Sequence, residues 1–259
     1  MGRLARISAY TRPLHISIGN VSMSLNSSDQ PLLQQARIRY RDFPGSRSDG
    51  FQITLNRPAN PSPSPPNFEY CLRGSRLRVS HSKAEFIDVA HEYALDSLIR
   101  ILLTVALLPK DGFLLHAASV VREGKAHVFV GRSGAGKSTV ASLSPEGTVL
   151  TDEISLLRKT DGVWRAHGTP FWGEFRAGGI NESYPVAAIH CLVQAAETRL
   201  EPIRPKDLLR AILPCVLFFS SGTEANGDLL NILMLFAQSI PCFRLHFRKD
   251  PSFWGAIAQ

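Results

Sequence analysis

Along this chain of 259 residues, apolar positions recur at every second residue before they recur at helical spacing. His15-Ile16-Ser17-Ile18 and Val21-Ser22-Met23-Ser24-Leu25 alternate on either side of Gly19-Asn20, a tight-hairpin composition. Gln30 to Arg39 predicts a short helix, Phe51 to Leu55 a strand, and Tyr70 to Val79 further strand-like alternation. Between them, Pro58 to Pro66 places five prolines in nine residues, which can join neither a ladder nor a helix and predicts an exposed loop. Ser82-Lys83-Ala84-Glu85 has the form of a capping box. Phe86, Val89, Ala90, Tyr93, Ala94, Ile101, Leu102 and Val105 then recur at three- and four-residue steps, so a long helix is predicted from this box to Pro109. The pattern divides the chain into a small β-rich subdomain over 1–81 and an α/β domain over 82–259.

In the second part, Gly112 to Val121 is a strongly apolar strand, Arg122-Glu123-Gly124-Lys125 a turn, and Ala126 to Val130 a buried strand. These two strands predict an antiparallel hairpin. Thr139 to Leu143 continues as a helix, Thr148 to Thr151 as an apolar strand, and Val186 to Ala195 as a buried strand. Pro205 to Ile212 and Asp228 to Ala237 read as helices, and Pro241 to Phe247 as a strand with Arg244 and His246 on its exposed face.

Composition narrows the class. The chain is 44% hydrophobic and 20% charged, and Lys plus Arg exceeds Asp plus Glu by 29 − 22 = 7. That surface suits acidic partners, but no dense Lys/Arg block signals nucleic acid. The longest apolar run, Leu98 to Leu108, is too short for a bilayer and contains Arg100, so no membrane association is expected. Arg3 and Arg6 are followed by no apolar core, and Arg6 stands where a myristoylation signal carries Ser or Thr. Cys71, Cys191, Cys215 and Cys242 form no C-x-x-C pair and sit among apolar neighbours, predicting buried free thiols and a cytoplasmic protein. A homo-oligomer is compatible with all of this.

The candidate chemistry centres on Gly131-Arg132-Ser133-Gly134-Ala135-Gly136-Lys137-Ser138, which fits G-x-x-x-x-G-K-[ST] without mismatch and is followed by Thr139. Its glycines let the backbone N–H groups of Gly131, Ser133, Gly134, Ala135, Gly136 and their neighbours line a phosphate nest. Lys137 reaches the β- and γ-phosphates, the Ser138 hydroxyl holds Mg²⁺, and the following helix directs its positive end at the same anion. The strand–loop–helix setting is present, so ATP with Mg²⁺ is the predicted ligand. Asp152-Glu153 ends an apolar strand, as an acidic Mg²⁺ site requires, and adjacent acids could supply both a metal ligand and a base. His116 lies within an otherwise apolar strand beside the nucleotide strand. Gly168 to Gly179 combines several glycines with Glu174 and Arg176, the latter suited to phosphoryl charge.

The hairpin carrying His116, the phosphate loop, the acidic pair and Glu174-Phe175-Arg176-Ala177-Gly178-Gly179, in this order, resemble the catalytic domain of the HPr kinase/phosphorylase family. The resemblance runs from about Gly112 to Val193 and implies a phosphate-loop kinase domain on a mixed sheet, as in phosphoenolpyruvate carboxykinases. It implies that Asp152 is the base for a serine hydroxyl, aided by His116, and that Glu153 lies on the metal side. Glu174 and Arg176 would complete the metal and phosphate environment. Glu153 replaces the family's second aspartate and Ala177 one of its glycines. The N-terminal part does not resemble these enzymes, so neither HPr as substrate nor phosphorylase activity follows. The expected activity is an ATP-dependent kinase of a serine in a protein or peptide. A small-metabolite kinase and a nucleotide-gated ATPase switch are the alternatives.

Overall fold

The computed structural model describes residues 12–46, 50–56, 66–145, 148–173, 179–219 and 222–258. The proline-rich stretch up to residue 65, and Glu174, Arg176 and Ala177, lie outside them. The chain is a mixed α/β protein with two mixed sheets that falls into two compact units, residues 1–17 with 22–98 and residues 18–21 with 99–259.

The first sheet has six strands. In chain order its surroundings are β1 Leu14–Ile18, β2 Val21–Ser27, α1 Gln30–Arg39, β3 Phe51–Leu55, β4 Phe68–Leu72, β5 Ser75–Ser80 and β6 Lys83–Ile87. The spatial order is β1-β2-β3-β6-β5-β4. The predicted hairpin between β1 and β2 is present, with Gly19 and Asn20 both at positive φ (57° and 61°), as a primed two-residue turn demands. Asp96 is buried and accepts from Arg39 Nη2 and from Tyr40 Oη, both at 2.5 Å, so its charge is compensated inside this unit.

The capping box is not a helix start. Ser82 to Glu85 leads into β6, where Ala84 and Phe86 pair with Ile53 and Leu55 on one side and Val79 and Leu77 on the other. Burying alternate residues between two strands prevails over a local capping signature that would leave Phe86 on a helix surface. The helix α2 is Glu92–Leu107, shorter than predicted. It is capped by His91, whose Nδ1 accepts from the Ala94 N–H at 3.2 Å. The boundary between the compact units accordingly falls after Leu98, within α2, and not at residue 81.

The second sheet has nine strands. After α2 come β7 Gly112–Arg122, β8 Lys125–Val130, α3 Lys137–Ser142, β9 Val149–Thr151, β10 Ile154–Thr160, β11 Val163–His167 and β12 Ser183–Gln194. They are followed by β13 Arg199–Pro202, α4 Pro205–Ile212, β14 Val216–Leu217, α5 Thr223–Ser239, β15 Cys242–Phe247 and α6 Phe253–Ile257. The order is β11-β10-β7-β8-β12-β15-β13, with β9 and β14 also on β7. As expected, β7 and β8 are antiparallel, while β8–β12 and β12–β15 are parallel. Leu208 and Ile212 of α4, with Leu229, Leu233 and Phe236 of α5, cover one face; Val140 of α3 and Phe253 and Trp254 of α6 cover the other.

One polar pair lies within this packing. His190 is buried between the rings of Phe129 and Phe243, and its Nε2 is 3.1 Å from Nδ1 of His127. Burial, and then the neighbouring imidazole, push His190 down to about 3. Burial also lowers His127 to about 4, with Arg122 adding to the effect. A folded pKa below the unfolded value of 6.5 means that the native state binds fewer protons. Stability is therefore full above about pH 6.5 and falls as the pH drops towards 4 and 3. Urea unfolding at a series of pH values should show this decline, and His190→Phe should flatten part of it.

Candidate functional site

Strand β7 exchanges partners in its middle, and the site is built around that exchange. On one edge, Gly112 to His116 pair with β10 while Ser119 and Val120 pair with β9. On the other, Ala117 to Arg122 pair with β8 while Leu114 and Leu115 pair with β14. Both flanking edges thus break beside His116 and Ala117. The break between β9 and β10 is Asp152-Glu153, and the break at the end of β8 is the start of the phosphate loop at Gly131. A single backbone bond, from Ala117 N–H to the Glu153 carbonyl (3.0 Å), bridges the first gap.

In the loop, Gly136 precedes α3 with φ of 111°, a conformation L-residues avoid. A Cβ there would meet the ring of Phe247 at 2.5 Å, so the position needs glycine for space as well as for φ. Lys137 is buried, and its Nζ donates to the carbonyls of Gly131 (3.0 Å) and Arg132 (3.4 Å). These bonds hold the ammonium across the mouth of the loop, where phosphate oxygens can replace the carbonyls. Burial lowers its pKa, opposed by Cys215 and Glu153. Gln194 Nε2 donates to the Gly134 carbonyl at 2.6 Å and ties the loop to the end of β12. A cavity of about 500 Å³ opens beside Gly131 to Ala135 and is also lined by Gln194, Arg210 and Cys215.

The acidic corner is supported by hydroxyls the sequence did not single out. Thr151 Oγ1 accepts from the N–H groups of Glu153 (3.4 Å) and Ile154 (3.3 Å) and lies 3.3 Å from the Phe171 carbonyl. Thr169 Oγ1 donates to the Ile154 carbonyl at 2.7 Å. Asp152 is buried, and its Oδ1 accepts from Gly173 N–H at 3.0 Å. The glycine-rich segment therefore does approach the acids: Gly173 touches Asp152, and a Cβ on Gly179 would strike the Leu150 carbonyl. The positions of Glu174 and Arg176 are outside the described residues.

Glu153 pairs with Arg100 of α2, Nη2 to carboxylate, at 3.5 Å. The Arg100 guanidinium lies over the ring of the fully buried Phe171, 4.8 Å from its centre. His116 is half-buried, and burial, then Lys137, then Arg100 lower its pKa from 6.5. Its imidazole is neutral at neutral pH and can accept a proton or a hydrogen bond. The structure thus gathers His116, Lys137 and Glu153 into one electrostatic neighbourhood, with Asp152 adjoining in the turn, and adds Arg100, Phe171 and Thr151. Arg100 carried a weak sequence signal, a lone charge inside the longest apolar run.

The donor set suits Mg²⁺ better than a softer metal: the Ser138 hydroxyl and the Glu153 carboxylate are hard oxygens, and one or two such ligands suffice when phosphate oxygens complete the shell. No group of three or more His, Cys, Asp or Glu able to hold a metal by itself occurs among the described residues. The four cysteines are unpaired. Contrary to the expectation that all are buried, Cys71 is exposed, because β4 turns it away from the sheet's packed face. Among the described residues no helix is long and apolar enough to cross a membrane.

If this loop holds ATP, as proposed below, Gly136→Ala should weaken that binding by about ten-fold or more, since the left-handed penalty alone is about 1–2 kcal/mol and Phe247 must also move. Calorimetric titration would measure it. Gly227→Ala, where a Cβ meets open space on α5, should leave binding unchanged and add about 0.5–1 kcal/mol of stability.

Comparison with models of protein families matches residues 89–213 to ScmC, described as a SynChlorMet cassette protein. This match covers 125 of the 259 residues, just under half of the chain. It contains α2, His116, the phosphate loop and the acidic pair, and leaves out the first sheet. A comparison with curated proteins finds no match.

Proposed function

We propose that this protein is an ATP-dependent kinase that transfers the γ-phosphoryl group to a serine hydroxyl of a protein or peptide. Its second unit would be a phosphate-loop kinase domain of the HPr kinase and phosphoenolpyruvate carboxykinase-like type. The observation that carries the proposal is the double break beside His116, which sets the phosphate loop on one edge of β7 and the two acids on the other. The same residues carry the resemblance to HPr kinases.

In this proposal the backbone N–H groups of Gly131 to Thr139 and the Lys137 ammonium bind the triphosphate. Ser138 and Glu153 hold Mg²⁺, with Glu174 completing the site as the resemblance implies. When bound, Mg²⁺ neutralises charge on the phosphate oxygens. Asp152 takes the proton of the incoming hydroxyl as its oxygen bonds to the γ-phosphorus. The bond from that phosphorus to the bridging oxygen breaks, and its electron pair leaves on ADP. The Gly173 N–H fixes the Asp152 carboxylate for this role, and neutral His116 orients the hydroxyl. Arg176 supplies charge to the transferred group, again as the resemblance implies.

Because the matched family is described as a cassette protein, proteins encoded beside the gene are the first acceptors to test. Intact-mass analysis after incubation with ATP and Mg²⁺ should show one phosphoryl group added to one of them. ADP formation without any modified acceptor would favour the ATPase alternative. Asp152→Asn should lower transfer by a factor on the order of 100 to 10,000 while ATP affinity stays near that of the parent protein. Parent-like turnover in that variant would remove Asp152 as the base.

A further inference from the structure

Arg100 has a geometry that the ion pair with Glu153 does not exhaust. Its Nη2 makes one long contact to Glu153, at 3.5 Å. Its Nε is buried and has no hydrogen-bond partner among the described residues. The guanidinium carbon lies over the ring of Phe171, which is itself fully buried, and the Phe171 carbonyl meets the threonine that shapes the acidic turn. A guanidinium with five donors, one long contact to a carboxylate and a buried Nε without a partner among the described residues has donors left for an anion. Its charge and that of Lys137 both act on His116, and Glu153 interacts with both cations. Lys137 belongs to the loop read above as holding the phosphate chain, and Glu153 links it electrostatically to Arg100.

We propose that Arg100, supplied from α2, meets the transferring phosphoryl group opposite Lys137 and stabilises its charge during transfer. This rests on the kinase reading above and assigns it a residue that neither the phosphate-loop pattern nor the acidic pair includes. While the acceptor oxygen bonds to phosphorus and the electron pair departs on ADP, charge lies on the three equatorial oxygens. A planar guanidinium donates to two of them at once in a fixed fork, a geometry that the rotatable ammonium does not set in advance. The pair with Glu153 holds Arg100 in place beforehand and prevents the two cations from repelling each other across an empty site. Phe171 keeps the side chain from swinging out to solvent.

The test compares ADP with ADP–aluminium fluoride, a mimic of the transferring group, each titrated calorimetrically with Mg²⁺ into the full-length protein. Arg100→Gln should bind ADP within about three-fold of the parent and the fluoride complex on the order of 100-fold more weakly. Arg100→Lys should recover only part of that loss. In ATP turnover, kcat should fall with little change in KM, and guanidinium ion added to Arg100→Gly should restore part of it. Equal weakening of both ligands would show a merely structural role, and unchanged affinity for both would remove Arg100 from the transfer step; either result overturns the inference and leaves the kinase reading standing. A parent protein that binds neither ligand would overturn both.

Discussion

The backbone pairing of β7 is the constraint on which the site depends. An eleven-residue strand pairs with four others, two on each edge, and changes partner on both edges at the same place. Unbroken ladders would carry main chain past His116 on both edges, leaving no place there for the glycine loop or the acidic turn to begin. The paired breaks turn the middle of a buried sheet into the one stretch where a polar strand residue, His116, adjoins a glycine loop and an acidic turn. Threonine hydroxyls and single backbone bonds then replace the lost ladder bonds, which is why Thr151 and Thr169 are buried without being orphaned.

Charge balance follows from that geometry. Glu153 compensates both Lys137 and Arg100. The same two cations, with burial, keep His116 neutral. A neutral imidazole adds no third positive charge beside these two cations and can accept a proton or a hydrogen bond. The neighbouring thiol of Cys215 is held back in the same field. Burial pushes it up more than Lys137 and the Gly131 N–H pull it down.

Much of this was legible in sequence because its signals are local. The phosphate loop, the β7–β8 hairpin, α1 and α4 follow from turn glycines and short-range periodicity, and they stand where the pattern places them. Where the sequence misled, two local rules competed. Ser82 to Glu85 satisfies a capping box and also alternates as a strand, and only the neighbours β3 and β5, distant in sequence, decide the outcome. Arg100, Phe171 and Thr151 were invisible as a group because residues 100, 151 and 171, on a helix, at a strand end and in a loop, meet only through side-chain contacts in the folded chain, with no spacing rule connecting them. The antiparallel pairing of β7 and β8 could be anticipated. The partner exchange could not, since it depends on where β9, β10 and β14 stop.

The ring of Phe247 against Gly136 has a consequence for how the protein is made. The glycine-rich cradle is spelled near the middle of the chain, yet its shape leans on the last residue of β15, more than a hundred positions later. A ribosome that has released residues 131–138 has not yet produced the surface they rest on, nor the parallel strands β12 and β15 beside β8. The cradle is therefore completed late in synthesis, once the C-terminal strand docks, and a nascent chain stalled short of Phe247 would carry the full phosphate-binding sequence without a working receptacle.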